Sequence, residues 1–238
     1  MKAGIIAAGV GERLARRGIS KPKPLVPLRG EPMIARVIHM AARLNVSSVA
    51  CIVNAIDPSV SGYLQSRSWP VPLELVVKTT PSSMESLFSL APLLDKDPFI
   101  LFTVDAVFPF ETLKSFFEKA CAMEKAEGVL ALTDFIDDEK PLWARTDTSH
   151  RIIALGEKAE RSPFATAGFY FFRPSIFLAM DAARAANLDS LRKFLSLLIE
   201  KNSPIYGLPV GKTVDVDCPE DLEVAESYLK EIEEEFRT

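Results

Sequence analysis

Two basic residues and three acids hold most of the chemistry that this chain offers. Arg13 and Lys23 follow closely on Gly9-Val10-Gly11, a turn that bends sharply and lets a ligand approach the backbone. Ahead of the turn lies an apolar run, Ala3 to Ala8, of the length of a buried strand, and behind it a helix-like segment, Arg13 to Arg17. A strand that feeds a glycine turn into a helix N-terminus leaves unpaired N–H groups and a positive dipole end pointing outward. That is a phosphate site by construction, and Arg13 and Lys23 add mobile positive charge to it. Two better-known phosphate loops do not match. Leu14 fills the third small-residue position of the dinucleotide fingerprint, and Val10 stands where the P-loop has its lysine.

The acids are Asp105, Asp215 and Asp217. Asp105 ends Phe99 to Val104, a continuous apolar run that reads as a central strand. It therefore sits at a strand's carboxyl end, where open α/β sheets bind ligands. A helix cap is the competing reading, weakened by the four residues Ala106 to Pro109 before a helix begins near Phe110. Asp215 and Asp217 alternate within Thr213 to Cys218, which puts both on one side of an extended segment. Asp217 can also join the cap of the last helix, which starts with Pro219-Glu220-Asp221.

The elements that must position these groups alternate in type. After the opening loop, Ile34, Val37, Ile38, Ala41 and Leu44 recur at helical spacing. Val49 to Val53 and Leu73 to Val77 read as strands, with a short helix from Asp57 to Leu64 between them. Ser82 and Glu85 read as a capping box for a helix to Leu94. Val129 to Thr133 is a further strand. Leu142 to Thr146 and Arg151 to Leu155 pair around a polar turn, and Ala167 to Phe172 is an aromatic strand. Helices are expected at Ser175 to Ala185, Leu188 to Lys201 and Leu222 to Phe236. This alternation predicts a mostly parallel sheet with helices on both faces.

Composition narrows the class. With 238 residues, 48% of them hydrophobic, the chain can bury a substantial core as one large α/β domain. A net charge of −4 gives no overall attraction to nucleic acid or to an anionic membrane. Cys51, Cys121 and Cys218 are scattered, so neither a disulfide framework nor a zinc site is expected and a reducing cytoplasm is the default. No apolar run reaches membrane-spanning length. Glu12, Arg13, Arg16 and Arg17 stand where a signal peptide would need its cleavage site. His39 and His150 lack partners that would make a triad or a metal site.

Residues 5–28 closely resemble the signature of the nucleotidyltransferases that join a nucleoside triphosphate to a sugar phosphate or a similar phosphorylated acceptor. The family pattern L-A-A-G-x-G-x-R-L, then P-K-x-L, is present with Ile6 for the leading leucine. The resemblance implies a single Rossmann-like (GT-A-like) three-layer domain over residues 1–238, with a mostly parallel mixed sheet. A small acceptor-side β elaboration is implied at roughly residues 135–175. Ala7, Ala8, Gly9, Val10, Gly11, Glu12 and Arg13 would bind the triphosphate, and Lys23 would lie between the α-phosphate and the acceptor. Ser82 and Ser83, in place of the family's Gly-Thr, would meet base and ribose, a role that can coexist with capping. Asp105 would hold Mg2+ together with Asp215 or Asp217, in a segment D-V-D-C-P-E-D-L that resembles the family's D-I-D-T-P-E-D-L. Of the two, Asp215, with no capping role to explain it, is the expected ligand. Glu157 and Lys158 resemble the family's Glu-Lys pair and would meet acceptor hydroxyls and phosphate, with Gly168 beside the acceptor.

The implied reaction is attack of an acceptor phosphate on the α-phosphorus, with release of pyrophosphate. It needs positioning and positive charge, and no general base. A metal-dependent glycosyltransferase using a nucleotide-sugar is the nearest rival, but it does not explain Arg13 and Lys23 around a glycine turn. A non-catalytic nucleotide-sensing module of the same fold is the other. Substituted positions such as Thr103-Val104 encourage that reading, while Arg13, Lys23 and Asp105 oppose it.

Overall fold

The structure, a computed structural model, describes residues 1–136 and 140–235. The chain opens with β1 (Lys2–Ala7), α1 (Glu12–Arg16), the short pair β2 (Pro27–Leu28) and β3 (Glu31–Pro32), and α2 (Met33–Arg43). Next come β4 (Val49–Val53), α3 (Pro58–Gln65), β5 (Leu73–Val77), α4 (Ser83–Leu94), β6 (Phe99–Thr103), β7 (Ala106–Val107) and α5 (Phe110–Ala122). The second half contains β8 (Gly128–Thr133), β9 (Trp143–Thr146), β10 (Ile152–Leu155), β11 (Phe164–Phe172), α6 (Met180–Ala185) and α7 (Leu191–Glu200). It ends with β12 (Ile205–Pro209), β13 (Val214–Asp215) and α8 (Pro219–Glu235). Phe236, expected on the apolar stripe of the last helix, lies outside the described residues.

The central sheet has two halves. β5, β4, β1 and β6 run parallel, as βαβ crossovers require. β11 then lies antiparallel to β6, and near its start it is flanked by β8 on one side and β9 on the other. β10 extends the sheet beyond β9, while β12 runs parallel to β8. The β9–β10 hairpin, expected as an acceptor-side elaboration, is thus continuous with the main sheet.

Alternation along the strands sorts the core onto two faces. In β6, Ile100 and Phe102 join the cluster under α2, α3, α5 and α8, while Phe99 and Leu101 join the cluster under α4 and α7. β1 splits the same way, with Ala3, Ile5 and Ala7 on the first face and Ile6 on the second. The result is helix, sheet, helix. Among the described residues no helix is long and apolar enough to cross a membrane.

Several boundaries differ from the sequence reading. The segment expected as one helix from Ser175 is a 3-10 turn, Pro174–Ala179, leading into α6. α7 begins at Leu191 because the Ser190 hydroxyl caps it. β12 was not anticipated. Its Gly207 has no side chain to mark the alternation, and Pro209 reads as a breaker.

Candidate active site

Because β1, β4, β5 and β6 are parallel, their carboxyl ends open on one edge, and a cavity of about 650 Å³ lies there. The Ala7–Arg13 turn forms one wall, Thr79 to Ser83 another, and Asp105 with Asp217 the inner end. Gly11 adopts φ +65° at the start of α1, and no side chain caps that helix. A Cβ on Gly11 would lie 2.8 Å from the Cβ of Lys23. Glycine therefore serves both the left-handed turn and its close passage over the lysine.

Lys23 is not the mobile surface charge that the sequence suggested. It is 8% exposed, fixed in a 3-10 turn with Pro24 and Leu25. Its Nζ donates to Asp105 Oδ2 and to Asp217 Oδ1, each at 2.6 Å. The two carboxylate oxygens are therefore no further apart than twice that distance. Arg13 donates to the other oxygen of Asp217 at 2.5 Å, and Arg17 pairs with Glu220 at 2.6 Å. Two cations and two acids thus close around one point.

The electrostatics follow from that packing. Burial alone pushes the Lys23 ammonium towards neutrality, but Asp105, Asp215 and Asp217 together hold its pKa above the ordinary lysine value. Burial likewise pushes Asp105 up. The Lys23 charge and hydrogen bond, with help from the Thr103 hydroxyl, outweigh it and keep the carboxyl below the usual aspartate range. Both groups stay charged at neutral pH.

Neither of these acids caps a helix. α5 starts at Phe110 with Pro109 as its cap, so Asp105 has no capping duty. At α8 the capping falls to Asp221, whose Oδ2 accepts from the N–H groups of Asp217 and Cys218 at 2.8 and 2.7 Å. Asp217 is left to Lys23 and Arg13. Asp215 lies two residues before it, at the end of β13. β13 pairs with β7, placing Asp215 opposite Ala106, and the Val216 N–H donates to the Asp105 carbonyl at 3.1 Å. Asp217, rather than the expected Asp215, is thus the acid that meets Asp105 at Lys23.

A second cavity, of about 240 Å³, lies on the far side of Asp105. Asp105, Asp217, Thr103 and Ser83 line both spaces, whereas Asp215 lines only this smaller one. Gly168 shapes its floor. The residue has φ +78°, and a Cβ there would come 2.6 Å from that of Ala106. It falls where the register of β11 on β8 shifts between Thr166 and Tyr170, a bulge of the kind that re-aims groups beside active sites. The Thr103 hydroxyl donates to its carbonyl at 3.0 Å. Burial pushes the Tyr170 phenol up to about 12, so it is neutral.

The remaining expected site residues divide. Ser82 and Ser83 border the large cavity. The Ser82 hydroxyl caps α4 by accepting from the Glu85 N–H at 3.2 Å, while the Ser83 hydroxyl accepts from Leu191 N–H at 2.9 Å. The capping box is only half formed, because the Glu85 carboxylate accepts from Nε and Nη2 of Arg184 at 2.9 and 3.0 Å. Glu157 and Lys158 are brought to neither cavity. They lie on an exposed 3-10 turn, and Lys158 pairs with Glu200 at 2.6 Å. Sequence reasoning missed Asn54. At the end of β4 it donates to the Ala8 carbonyl at 3.0 Å and accepts from Thr79 at 2.9 Å, tying the glycine turn to the opposite wall. The signal available was a polar residue at a strand's carboxyl end, the same one that marked Asp105.

Residues 3–191 match the model of the MobA-like NTP transferase domain. The chain belongs to that family. A mannose-1-phosphate guanylyltransferase catalytic subunit beta of Dictyostelium discoideum is 26% identical over 93% of this chain and 62% of its own length. A CMP-5'-(3-aminopropyl)phosphonate synthase of Streptomyces rubellomurinus is 28% identical over 60% of this chain and 26% of its own. The chain thus spans less than two thirds of either relative. A UTP–glucose-1-phosphate uridylyltransferase of Haloferax volcanii is 24% identical over 97% of both chains. The inositol-1-phosphate CTP transferase structure from T. maritima superposes with a TM-score of 0.83 over 98% of this chain and 96% of its own, at 18% identity. That likeness establishes the shared fold.

Proposed function

We propose that this chain is a magnesium-dependent nucleotidyltransferase that joins a nucleoside triphosphate to a small phosphorylated acceptor. The observation that carries the reading is the meeting of two cavities at one charged point, Lys23 with Asp105 and Asp217. The larger cavity, with its glycine turn and Arg13, suits a triphosphate. The smaller suits the body of an acceptor. Names among the relatives include mannose 1-phosphate, glucose 1-phosphate and an aminopropylphosphonate, all consistent with such a partner.

In this reading an acceptor phosphate or phosphonate oxygen attacks the α-phosphorus. The new P–O bond forms as the bond to the bridging oxygen of the β-phosphate breaks, and pyrophosphate leaves with that electron pair. The acceptor oxygen is already ionised at neutral pH, so no base is needed. Lys23, held charged at the inner end of the larger cavity, would face the phosphorus where negative charge builds up. Arg13 and the turn amides hold the outer phosphates.

Two carboxylates converging on one cation are the donor set that Mg2+ uses when phosphate oxygens and water complete its shell. Asp105 and Asp217 would hold the ion beside Lys23. When bound it neutralises phosphate oxygens and orients the triphosphate. The free cysteines agree with a cytoplasmic setting. The test is pyrophosphate release with Mg2+ and each of CTP, UTP, GTP, ATP and dTTP against a panel of phosphorylated acceptors. Acceptor-dependent release supports the reading. Triphosphate binding without release on any acceptor favours a sensing module, and sugar transfer from a nucleotide-sugar favours a glycosyltransferase.

A further inference from the structure

The two ends of the main sheet are finished differently. At the antiparallel end β10 and β12 lean on each other. The Gly207 N–H donates to the His150 carbonyl at 2.8 Å, Arg151 forms an antiparallel bridge with Tyr206, and the Arg151 guanidinium donates to the Asn202 carbonyl at 2.8 Å. β10 also shifts register against β9, and β12 ends on Pro209. Bulges, prolines and cover of this kind keep a strand edge from pairing with another chain. β5, at the other end, shows none of these devices. Among the described residues it pairs with β4 alone, in unbroken register over Leu73–Val77. Its sequence, Leu-Glu-Leu-Val-Val, contains no lysine, arginine or proline.

The outward peptide groups of β5 can be assigned. The Val49 N–H donates to the Pro72 carbonyl and the Lys78 N–H to the Val53 carbonyl, each at 2.9 Å. Along a paired strand the peptide groups turn alternately to one side and the other. Pro72, Glu74, Val76 and Lys78 therefore face β4, while Leu73, Leu75 and Val77 turn their N–H and carbonyl groups outward. Pro72 stops the strand without removing an outward donor, because its nitrogen is on the β4 side. The side chains are apolar and incompletely covered. Leu73, Leu75 and Val76 are half-buried and Val77 is 43% exposed. The one charge, Glu74, is answered within the chain by Lys2 Nζ at 2.7 Å and by the Ser48 hydroxyl at 2.6 Å.

We infer that two copies of this chain pair through β5, antiparallel about a two-fold axis at Leu75, to make one continuous sheet. The outward groups are symmetric about that residue. Leu75 meets Leu75 of the second copy and Leu73 meets its Val77, each pair exchanging N–H···O=C bonds. Between them Glu74 falls opposite Val76, so the two glutamates do not face each other. The same register covers the exposed Val77 with an apolar neighbour. A two-fold contact uses up the open edge of both sheets, and because the other end of each sheet is blunted, the assembly closes at two chains. The paired strands run in opposite directions, so the larger cavities, at the carboxyl ends of the parallel strands, open at opposite ends of the joined sheet. The inference is independent of the reaction proposed above.

The experiment combines mass in solution with amide hydrogen exchange on the full chain. Size-exclusion chromatography with light scattering should give the mass of two chains. In that dimer the amides of Leu73, Leu75 and Val77 should be protected, although β4 bonds none of them, while those of Glu74 and Val76 serve as internal controls. Val77→Lys puts a charge on a half-exposed edge side chain, so it should leave the circular dichroism spectrum unchanged and raise the dimer dissociation constant at least tenfold. The outward amides should then exchange faster and the controls should not. Leu75→Pro removes the outward donor at the axis without taking a bond from β4, and it should give single chains. Should that variant fail to fold, Val77→Lys carries the test. A single-chain mass at every concentration would overturn the inference. So would a dimer that both variants leave intact with the outward amides unprotected, since the copies would then meet elsewhere. Protection of those amides only on addition of a different protein would overturn it as well, by giving the edge another partner.

Discussion

The two cavities that share Asp105 are built by opposite means. The larger one is assembled from the parallel half of the sheet, largely from turns after β1, β4 and β5, and it is lined by a glycine turn, hydroxyls and cations. The smaller draws on β8, β11, β13 and α7, mostly from the antiparallel half, and it offers apolar surface and carboxylates. The first is suited to the polyanion common to all nucleoside triphosphates. The second is suited to one particular molecule. A family can therefore keep the first as a short motif while the second varies with substrate.

That difference can be broken at its shared point. Asp105→Asn should lower turnover drastically while the fold persists, and any residual activity should not respond to Mg2+ concentration. Asp217→Asn should do the same. Asp215→Asn should retain Mg2+ dependence, because Asp217 rather than Asp215 shares Lys23 with Asp105. Asp105→Asn should also change acid stability of the metal-free protein. A folded carboxyl held below its ordinary pKa contributes stability that is present above that ordinary value and is lost as pH falls through the folded one. Acid unfolding followed by circular dichroism should accordingly be shallower in the variant.

Lys23→Ala should lower kcat by about 10²–10³-fold, the effect of removing one preorganised group at developing charge. It should also destabilise the fold by about 3–5 kcal/mol, since Asp105 and Asp217 lose their buried partner. A Lys23→Ala protein altered only in nucleotide affinity would place the lysine on the triphosphate side alone.

Arg13→Ala and Gly168→Ala separate the two sides. The first should weaken triphosphate binding by about 1.5–3 kcal/mol, read by calorimetry, with acceptor KM nearly unchanged. The second forces a Cβ into left-handed backbone, at about 1–2 kcal/mol before its contact with Ala106 is counted. It should disturb acceptor KM far more than triphosphate affinity. At the small end, Lys158→Ala should leave kcat/KM within about twofold and stability within about 0.5 kcal/mol, because its ion pair with Glu200 is exposed.

The same contrast explains what could be read from the sequence. Gly9 to Lys23 lie close together along the chain, so local spacing defines much of their geometry and the glycine turn at the start of α1 was legible. Asp105 was legible because a continuous apolar run ended on it. The burial of Lys23 was not, since it depends on Asp217, 194 residues away. Glu157 and Lys158 resembled the family's acceptor pair, yet the 3-10 turn that carries them faces solvent. Asp215 and Asp217 could be placed on one side of an extended segment. Choosing between them required the antiparallel pairing of β13 with β7, two residues long and carrying no pattern that spacing could show. Alternation of strands and helices gave the parallel half of the sheet. β12, with Gly207 and Pro209, carried too weak a signal to be seen.

The central claim is that a new P–O–P bond forms between α-phosphate and acceptor at Lys23 and Asp105. The most direct test is ³¹P NMR of a reaction containing Mg2+, the preferred triphosphate and its acceptor. The account predicts two coupled resonances of an unsymmetrical diphosphate, or of a phosphonate–phosphate anhydride, rising in step with inorganic pyrophosphate and absent with Asp105→Asn. Nucleoside diphosphate and inorganic phosphate as the only products, or no consumption of any triphosphate across the acceptor panel, would contradict it.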